Sequence, residues 1–249
     1  MSRRVRVPVR GLEAGERLLE EAESRYVLRV HRLRPGAEFS VFEPRLRREA
    51  EALLVGVERG RARCRIVEPV AARHVAPFEL RLLQAVGKGD KVEQVVRDAT
   101  ALGATHVTIV DAERSVPRRS GRAKERWDVV ALEAARQCER GDLPNVEGPV
   151  DFAAALASAP ATTLKLLFHP ASEEAAVGRL SEWEPKLGVT LAIGPEGGFS
   201  PEELRAAERH GFSAVTLGAL TLRTETAAVA ALALCVGFFE RRLRDRSLT

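Results

Sequence analysis

The chain has 249 residues, 45% of them apolar, enough to bury the core of one large domain or two smaller ones. No apolar run approaches the length of a bilayer span, and MSRRVRVPVRG lacks the apolar segment of a signal peptide. The three cysteines (Cys64, Cys138, Cys235) are widely spaced with no CxxC, which argues against a disulfide framework and a zinc site. The expectation is a cytoplasmic protein with no membrane segment and no bound metal. The net charge of +4 is unevenly spread, +6 over residues 1–73 and −2 over the remainder. A basic first third on a near-neutral body suits an RNA-docking module, and equally a solvated arginine-rich surface.

Residues 1–70 read mainly as short strands. Residues 3–9 alternate charged and apolar side chains, and 39–42, 50–58 and 62–67 are further runs between Pro35-Gly36, Pro44 and Arg59-Gly60. Short strands with frequent turn signals suggest a small barrel. Residues 21–30 read as a short helix with Tyr26, Val27 and Val30 on one face. The stretch 68–77, EPVAARHVAP, holds two prolines without helical period and is the expected linker.

From residue 78 the pattern changes to alternating strands and helices. Strands are predicted at 79–86, 106–110 and 163–168, and helices at 90–103, 128–140 and 151–157; Asp90 and Glu93 form a capping box for the first helix. Residues 114–126 are strongly basic, with Arg118, Arg119 and Arg122 at the centre, and suit either phosphate contact or a solvated loop. Cys138 reads as a small buried residue. His169 follows a strand, but no Asp or Ser partner is placed to form a triad with it.

The most informative stretch is 189–227, VTLAIGPEGGFSPEELRAAERHGFSAVTLGALTLRTETA. A buried strand, 189–193, runs into Gly194-Pro195-Glu196-Gly197-Gly198. Ser200 and Glu203 then form a capping box with Pro201 at the first helical position. A second strand, 214–217, leads through Gly218 to Leu222-Arg223-Thr224-Glu225-Thr226-Ala227 and the last helix, with Thr224 as its cap. If the two strands are parallel and adjacent, both loops sit at the carboxyl edge of the sheet, where open α/β sheets bind ligands. Neither G-x-G-x-x-G nor G-x-x-x-x-G-K-[ST] is present, and Glu196 would repel a phosphate, so the loop suits a ligand with positive charge.

IGPEGGFSPEE followed by LGALTLRTETAA strongly resembles the C-terminal signature of the SPOUT-class RNA methyltransferases, and within them the RsmE family. The resemblance extends over essentially the whole chain, including RYVLRVHRLRPG at 25–36 and the AARQCER segment at 134–140. It implies an α/β fold in two domains: a PUA-like RNA-binding β-barrel over 1–72, and a SPOUT domain with a trefoil knot over 73–249. It also implies S-adenosylmethionine-dependent methylation of N3 of one uridine, U1498, in 16S ribosomal RNA, a homodimer, and the small ribosomal subunit as partner. On the same ground Leu167, Phe168, His169, Ile193, Gly194, Pro195, Glu196, Gly197, Gly198, Leu217, Gly218, Leu222, Arg223, Thr226 and Ala227 wall the cofactor pocket. Arg25, Arg29, Arg32 and Arg34, with Arg118, Arg119 and Arg122, are the candidate RNA contacts.

Methylating N3 of uracil removes an imide proton and spreads negative charge over N3 and two carbonyl oxygens. A guanidinium near those oxygens stabilises that charge, which makes Arg223 the catalytic candidate. Glu225 either accepts the proton or orients Arg223, and an acid in a first helical turn is also favoured by the helix dipole. Two other readings stand beside this one. A Rossmann-type nucleotide enzyme would need a glycine-rich loop after its first strand, which is missing. A non-catalytic RNA-binding protein would need no intact Gly194–Gly198 or Leu222–Thr226 run.

Overall fold

The structure is a computed structural model and describes residues 4–85, 87, 91–115, 123–184 and 187–247. The chain divides into two compact units, Met1–Val75 with Leu132–Leu143, and Ala76–Ala131 with Pro144–Thr249.

The first unit is built on one six-stranded sheet. Its strands are β1 (Arg6–Pro8), β2 (Gly15–Leu18), β3 (Glu38–Glu43), β4 (Arg48–Glu58), β5 (Arg61–Ile66) and β6 (Val70–Ala71), in the order β1-β3-β4-β5-β2 with β6 paired to β4. Only β1–β3 is parallel. Alternation along β5 buries Ala62, Cys64 and Ile66 and leaves the arginines between them outward, the period of a half-buried strand. With Val7, Val9, Leu12, Leu19, Val27, Phe39, Val41, Ala50, Ala52 and Leu54 they form one core.

Helix α1 (Glu21–Arg25) opens on a Glu20/Glu23 capping box and continues as a π-helical turn, Tyr26–Val30. The expected single apolar face is therefore broken. Val27 is fully buried, whereas Val30 is 61% exposed, because the wider turn rotates it away from the Val27 face.

Residues 132–143 belong to this unit by their contacts, which no linear boundary anticipates. The Arg136 guanidinium lies 4.2 Å from the Tyr26 ring centre. Arg6 donates to the Arg140 carbonyl (3.1 Å) and pairs with Glu49 (3.0 Å), and Arg140 Nε pairs with Asp142 (2.7 Å). Cys138 is exposed, contrary to the sequence expectation, because the helix ends at Gln137 and Glu139 turns the chain at φ +64°.

The second unit is a six-stranded, all-parallel sheet. Its strands are β7 (Leu80–Ala85), β8 (His106–Asp111), β9 (Asn145–Asp151), β10 (Leu164–Phe168), β11 (Val189–Ile193) and β12 (Ser213–Val215), in the order β12-β10-β11-β7-β8-β9. The helices are α2 (Lys91–Ala101), α3 (Ala123–Gln137, whose residues from Leu132 onward belong to the first unit), α4 (Phe152–Ser158), α5 (Ala176–Glu182), α6 (Pro201–Arg209) and α7 (Thr224–Ser247). Both faces of the sheet are covered, as a parallel sheet requires. Leu80, Leu82, Val107, Ile109, Leu191 and Ile193 pack with Trp127 and with α2, α5 and α7 on one face. Leu83, Ala85, Val110, Leu167 and Ala192 pack with α4 and α6 on the other.

The condition placed on the two informative strands holds only in part. β11 and β12 are parallel but not adjacent, since β10 lies between them. Because all three strands run the same way, their carboxyl ends still share one edge. Among the described residues no helix is long and apolar enough to cross a membrane. Asp90, the expected cap of α2, lies outside the described residues.

Candidate active site

Three loops leave the carboxyl edge side by side, after β10, β11 and β12, and enclose a cavity of about 320 Å³. That size is in the range of small-molecule and cofactor sites. The floor is apolar: Phe168 and Ile193 at two strand ends, and Phe199 below Gly194. A Cβ at Gly194 would come within 3.1 Å of the Phe199 ring, so any larger residue there must push that ring aside by a few tenths of an ångström. Phe199 is held in turn by stacking on Phe152, ring centres 4.6 Å apart. Gly198 adopts φ +69°, a left-handed conformation that turns the loop into α6. The start of α6 is as predicted: Ser200 accepts from the Glu203 amide and the Glu203 carboxylate accepts from the Ser200 amide. The other Glu203 oxygen accepts from the Glu113 amide (2.8 Å), which ties the β8 loop to the β11 loop.

Of the residues expected to wall the pocket, Phe168, His169, Ile193, Gly194, Pro195, Glu196, Gly198, Leu217, Leu222, Arg223 and Ala227 line this cavity. Leu167, Gly197, Gly218 and Thr226 do not, and neither does the catalytic candidate Glu225. Leu167 alternates to the opposite face of the sheet and is buried with Leu83 and Ala192. Gly197 is engaged by the β8 loop, its carbonyl accepting from Arg114 Nη1 (2.9 Å), and a Cβ there would come within 3.2 Å of Arg114 Cβ. Thr226 is exposed on α7, and Gly218 shapes the β12 loop, with its carbonyl bonded to Thr216 Oγ1. Pro170, Phe199, Thr216, Leu220, Thr221 and Thr224 also line the cavity; none is assigned to the pocket from sequence, because their place in it depends on how the loops fold back.

The electrostatics differ from the expectation in two respects. Glu196 is not a free acid awaiting a cation: Lys91 Nζ at the start of α2 donates to its Oε1 at 2.9 Å. The same ammonium lies 3.2 Å from Glu225 Oε2, a Coulombic contact without hydrogen-bond directionality at that oxygen. The hydrogen bond to Glu196, reinforced by Glu225, holds the Lys91 ammonium above the usual lysine range against the partial burial that opposes it. Thr224, for its part, does not spend its hydroxyl on its own helix. Its Oγ1 donates to the Gly194 carbonyl (2.8 Å) and accepts from the buried Gln84 Nε2 on β7 (2.9 Å).

Arg223 is exposed at the cavity wall, one residue before α7. His169 Nδ1 accepts from the Ala171 amide (3.3 Å), so the neutral ring carries its proton on Nε2 and acts as a donor. In the first unit Arg25, Arg29, Arg32 and Arg34 are all exposed, whereas Arg118, Arg119 and Arg122 lie outside the described residues.

Residues 74–236 match the family model of an RNA methyltransferase domain. The chain is 34% identical over 220 residues to ribosomal RNA small subunit methyltransferase E of a Synechocystis species, covering 86% of this chain and 71% of that one. The Mycobacterium bovis protein of the same name is 32% identical over 211 residues, covering 82% and 79%. The crystal structure of ribosomal RNA small subunit methyltransferase E from Neisseria gonorrhoeae bound to S-adenosyl methionine superposes with a TM-score of 0.83 at 28% identity, covering 92% of this chain and 95% of that one. A carboxyl-edge cavity walled by IGPEGG and LRTETA, in a chain this similar over most of its length, leaves one assignment: the chain belongs to the ribosomal RNA small subunit methyltransferase E family.

Proposed function

We propose that this protein transfers the methyl group of S-adenosylmethionine to N3 of a specific uridine in the 16S RNA of the small ribosomal subunit. The observation that carries the reading is the 320 Å³ cavity at the carboxyl edge of β10, β11 and β12. Its residues fit an adenosyl ligand. Ile193, Leu217 and Leu222 offer apolar walls, Gly194 and Gly198 allow close backbone approach, and Thr216, Thr221 and His169 add polar side chains. The gonococcal relative holds S-adenosyl methionine, which supports the same ligand class here.

When bound, that ligand supplies an electrophilic methyl carbon: the N3 lone pair forms the new N–C bond as the C–S electron pair returns to sulfur and the imide proton leaves. The residues of the chain handle charge and position. Arg223, exposed at the wall, offers a planar donor to the uracil oxygens on which negative charge develops. Glu225 is engaged by Lys91 and does not line the cavity, so it orients the first turn of α7 and the proton leaves to water.

The first unit is read as the PUA-like docking domain over 1–72, and the second as a SPOUT domain with a trefoil knot over 73–249. The return of the 216–224 segment to Gly194 and Gln84 supports the second of these. Leu220, 82% exposed beside the cavity, supports a homodimer in which a second copy covers it. A cytoplasmic location follows from the ribosomal substrate.

The test uses small subunits from a strain lacking this modification, with mass mapping of the methylated base, for the wild type and Arg223→Ala. The expected result is N3-methyluridine at one position. The variant should bind S-adenosylmethionine nearly normally by calorimetry while turnover falls on the order of 100-fold, as for a lost charge-stabilising donor. Methylation at another base atom overturns the reaction, and near-normal turnover of the variant at neutral pH removes Arg223 from it.

A further inference from the structure

The two loops that wall the cavity most closely are tied together from behind, with help from Gln84 and Lys91, which do not line it. The loop after β11 supplies Gly194, Pro195, Glu196, Gly198 and Phe199, and the segment entering α7 supplies Leu222, Arg223, Thr224 and Ala227. One tie is neutral and buried: Gln84 Nε2 to Thr224 Oγ1 (2.9 Å), and Thr224 Oγ1 to Gly194 O (2.8 Å), with Gln84 1% exposed. The other is ionic and lies nearer the rim, where Lys91 Nζ reaches Glu196 Oε1 at 2.9 Å and Glu225 Oε2 at 3.2 Å. Between the two ties sits Gly87, where a Cβ would lie 3.4 Å from Glu196 Oε1 and 3.5 Å from both Lys91 Cδ and Thr224 Cγ2. The ammonium thus stands between two carboxylates that belong to different loops, at 2.9 and 3.2 Å. It also pairs with the acid in the glycine loop, so a cationic ligand meets Glu196 with an ammonium beside it.

We propose that Lys91 is a positioning residue: it fixes the spacing of the two cavity walls and neutralises Glu196 and Glu225, so that the cavity selects its ligand by shape and backbone contact rather than by a loop carboxylate. This rests on the reading of the cavity as the adenosyl site.

The two functions of Lys91 separate by ligand charge. S-adenosylmethionine carries a sulfonium cation and S-adenosylhomocysteine a neutral thioether, on otherwise equivalent adenosyl frames. Calorimetric titration of wild type, Lys91→Met and Lys91→Arg with each compound is the experiment. Lys91→Met is expected to weaken S-adenosylhomocysteine roughly tenfold, as for a coupled pair of this kind, and the cationic S-adenosylmethionine by less, because Glu196 has then lost its ammonium partner, with Lys91→Arg recovering most of both losses. Unchanged affinity for both compounds overturns the proposal. A change confined to S-adenosylmethionine also overturns it, because Lys91 would then act on ligand charge alone.

A ligand-free readout separates this inference from the functional reading. The melting temperatures of Lys91→Met, Glu225→Gln and the double variant should be non-additive, the double variant losing less than the sum of the single losses. Additive losses overturn the tie. If the wild type binds neither adenosyl compound, the functional reading falls while this cycle still decides whether Lys91 couples the two walls.

Discussion

At the scale of single residues, the buried charges of the first unit carry the largest stakes. Glu49, itself mostly buried, accepts from Arg6 Nη2 (3.0 Å) and from Arg73 Nε (2.9 Å). Arg6 is buried against the Phe42 ring, so its charge has little water to fall back on. Burial alone would raise the Glu49 carboxyl, but the hydrogen bonds from Arg73 and the charges of Arg6 and Arg73 hold it below the ordinary carboxylate range. Glu49→Gln should cost about 3 kcal/mol at neutral pH, because it strands a buried guanidinium. The pH dependence has a definite sign. A depressed carboxyl contributes stability that is fully present above its unfolded pKa, and that is lost as pH falls through the lower folded value. The gap between the two proteins in denaturant melts should therefore begin to narrow below about pH 4.5, the ordinary glutamate value, and close once the lower folded value is passed. A gap that persists unchanged into strong acid would show that Glu49 acts through packing and not through charge.

At the scale of elements, the site depends on one helix start fastened to two strands. Thr224 opens α7, yet its hydroxyl bonds Gly194 at the end of β11 and Gln84 on β7. An isosteric Thr224→Val keeps the shape and removes the bridge, leaving a buried amide donor and a carbonyl acceptor without this partner. Loss of about 1–3 kcal/mol in chemical denaturation is expected, the desolvation cost of such groups. S-adenosylmethionine affinity should fall with it, since Gly194 and Thr224 both line the cavity. A Val variant with wild-type stability and affinity would make the bridge incidental. The start of α6 was open to reading in advance, because a Ser-Pro-Glu-Glu capping box is a local device whose two hydrogen bonds close within four residues. The start of α7 was not, because Thr at a helix start ordinarily caps its own helix and here turns to a strand 30 residues earlier in the chain.

At the scale of the molecule, the proposed reaction needs folded RNA, and the basic excess of the chain is the candidate surface for it. The first third holds the basic excess, and Arg25, Arg29, Arg32 and Arg34 present exposed guanidiniums around the π-helical turn. Replacing all four with Glu should weaken RNA binding across sequences and flatten its salt dependence. If each contacts one phosphate, the log–log slope should lose about 0.7–0.9 per contact. Affinity for S-adenosylmethionine should stay unchanged, since none of the four lines the cavity. An unaltered salt slope would place the RNA surface elsewhere on the molecule.

The sequence by itself determined the strand β11, residue for residue, the capped start of α6, and the presence of alternating strands and helices after residue 78. Each is local: an apolar run long enough only for a strand, a side chain bonding an amide three residues on, a periodicity read from neighbours. Resemblance in the IGPEGG and LRTETA runs added the family. Tertiary structure decided what depends on partners far apart in the chain. It inserted β10 between β11 and β12, and it added β9 and α5, whose short segments carry no clear period. It drew residues 132–143 into the first unit through Arg136 on Tyr26 and the Arg140 carbonyl on Arg6. It also placed Lys91 between Glu196 and Glu225, 105 and 134 residues away in sequence, which no pattern of spacing encodes. Charge in a sequence is a property of each residue alone, whereas whether an acid is free or neutralised is a property of the distance to its counter-ion, and only the folded chain sets that distance.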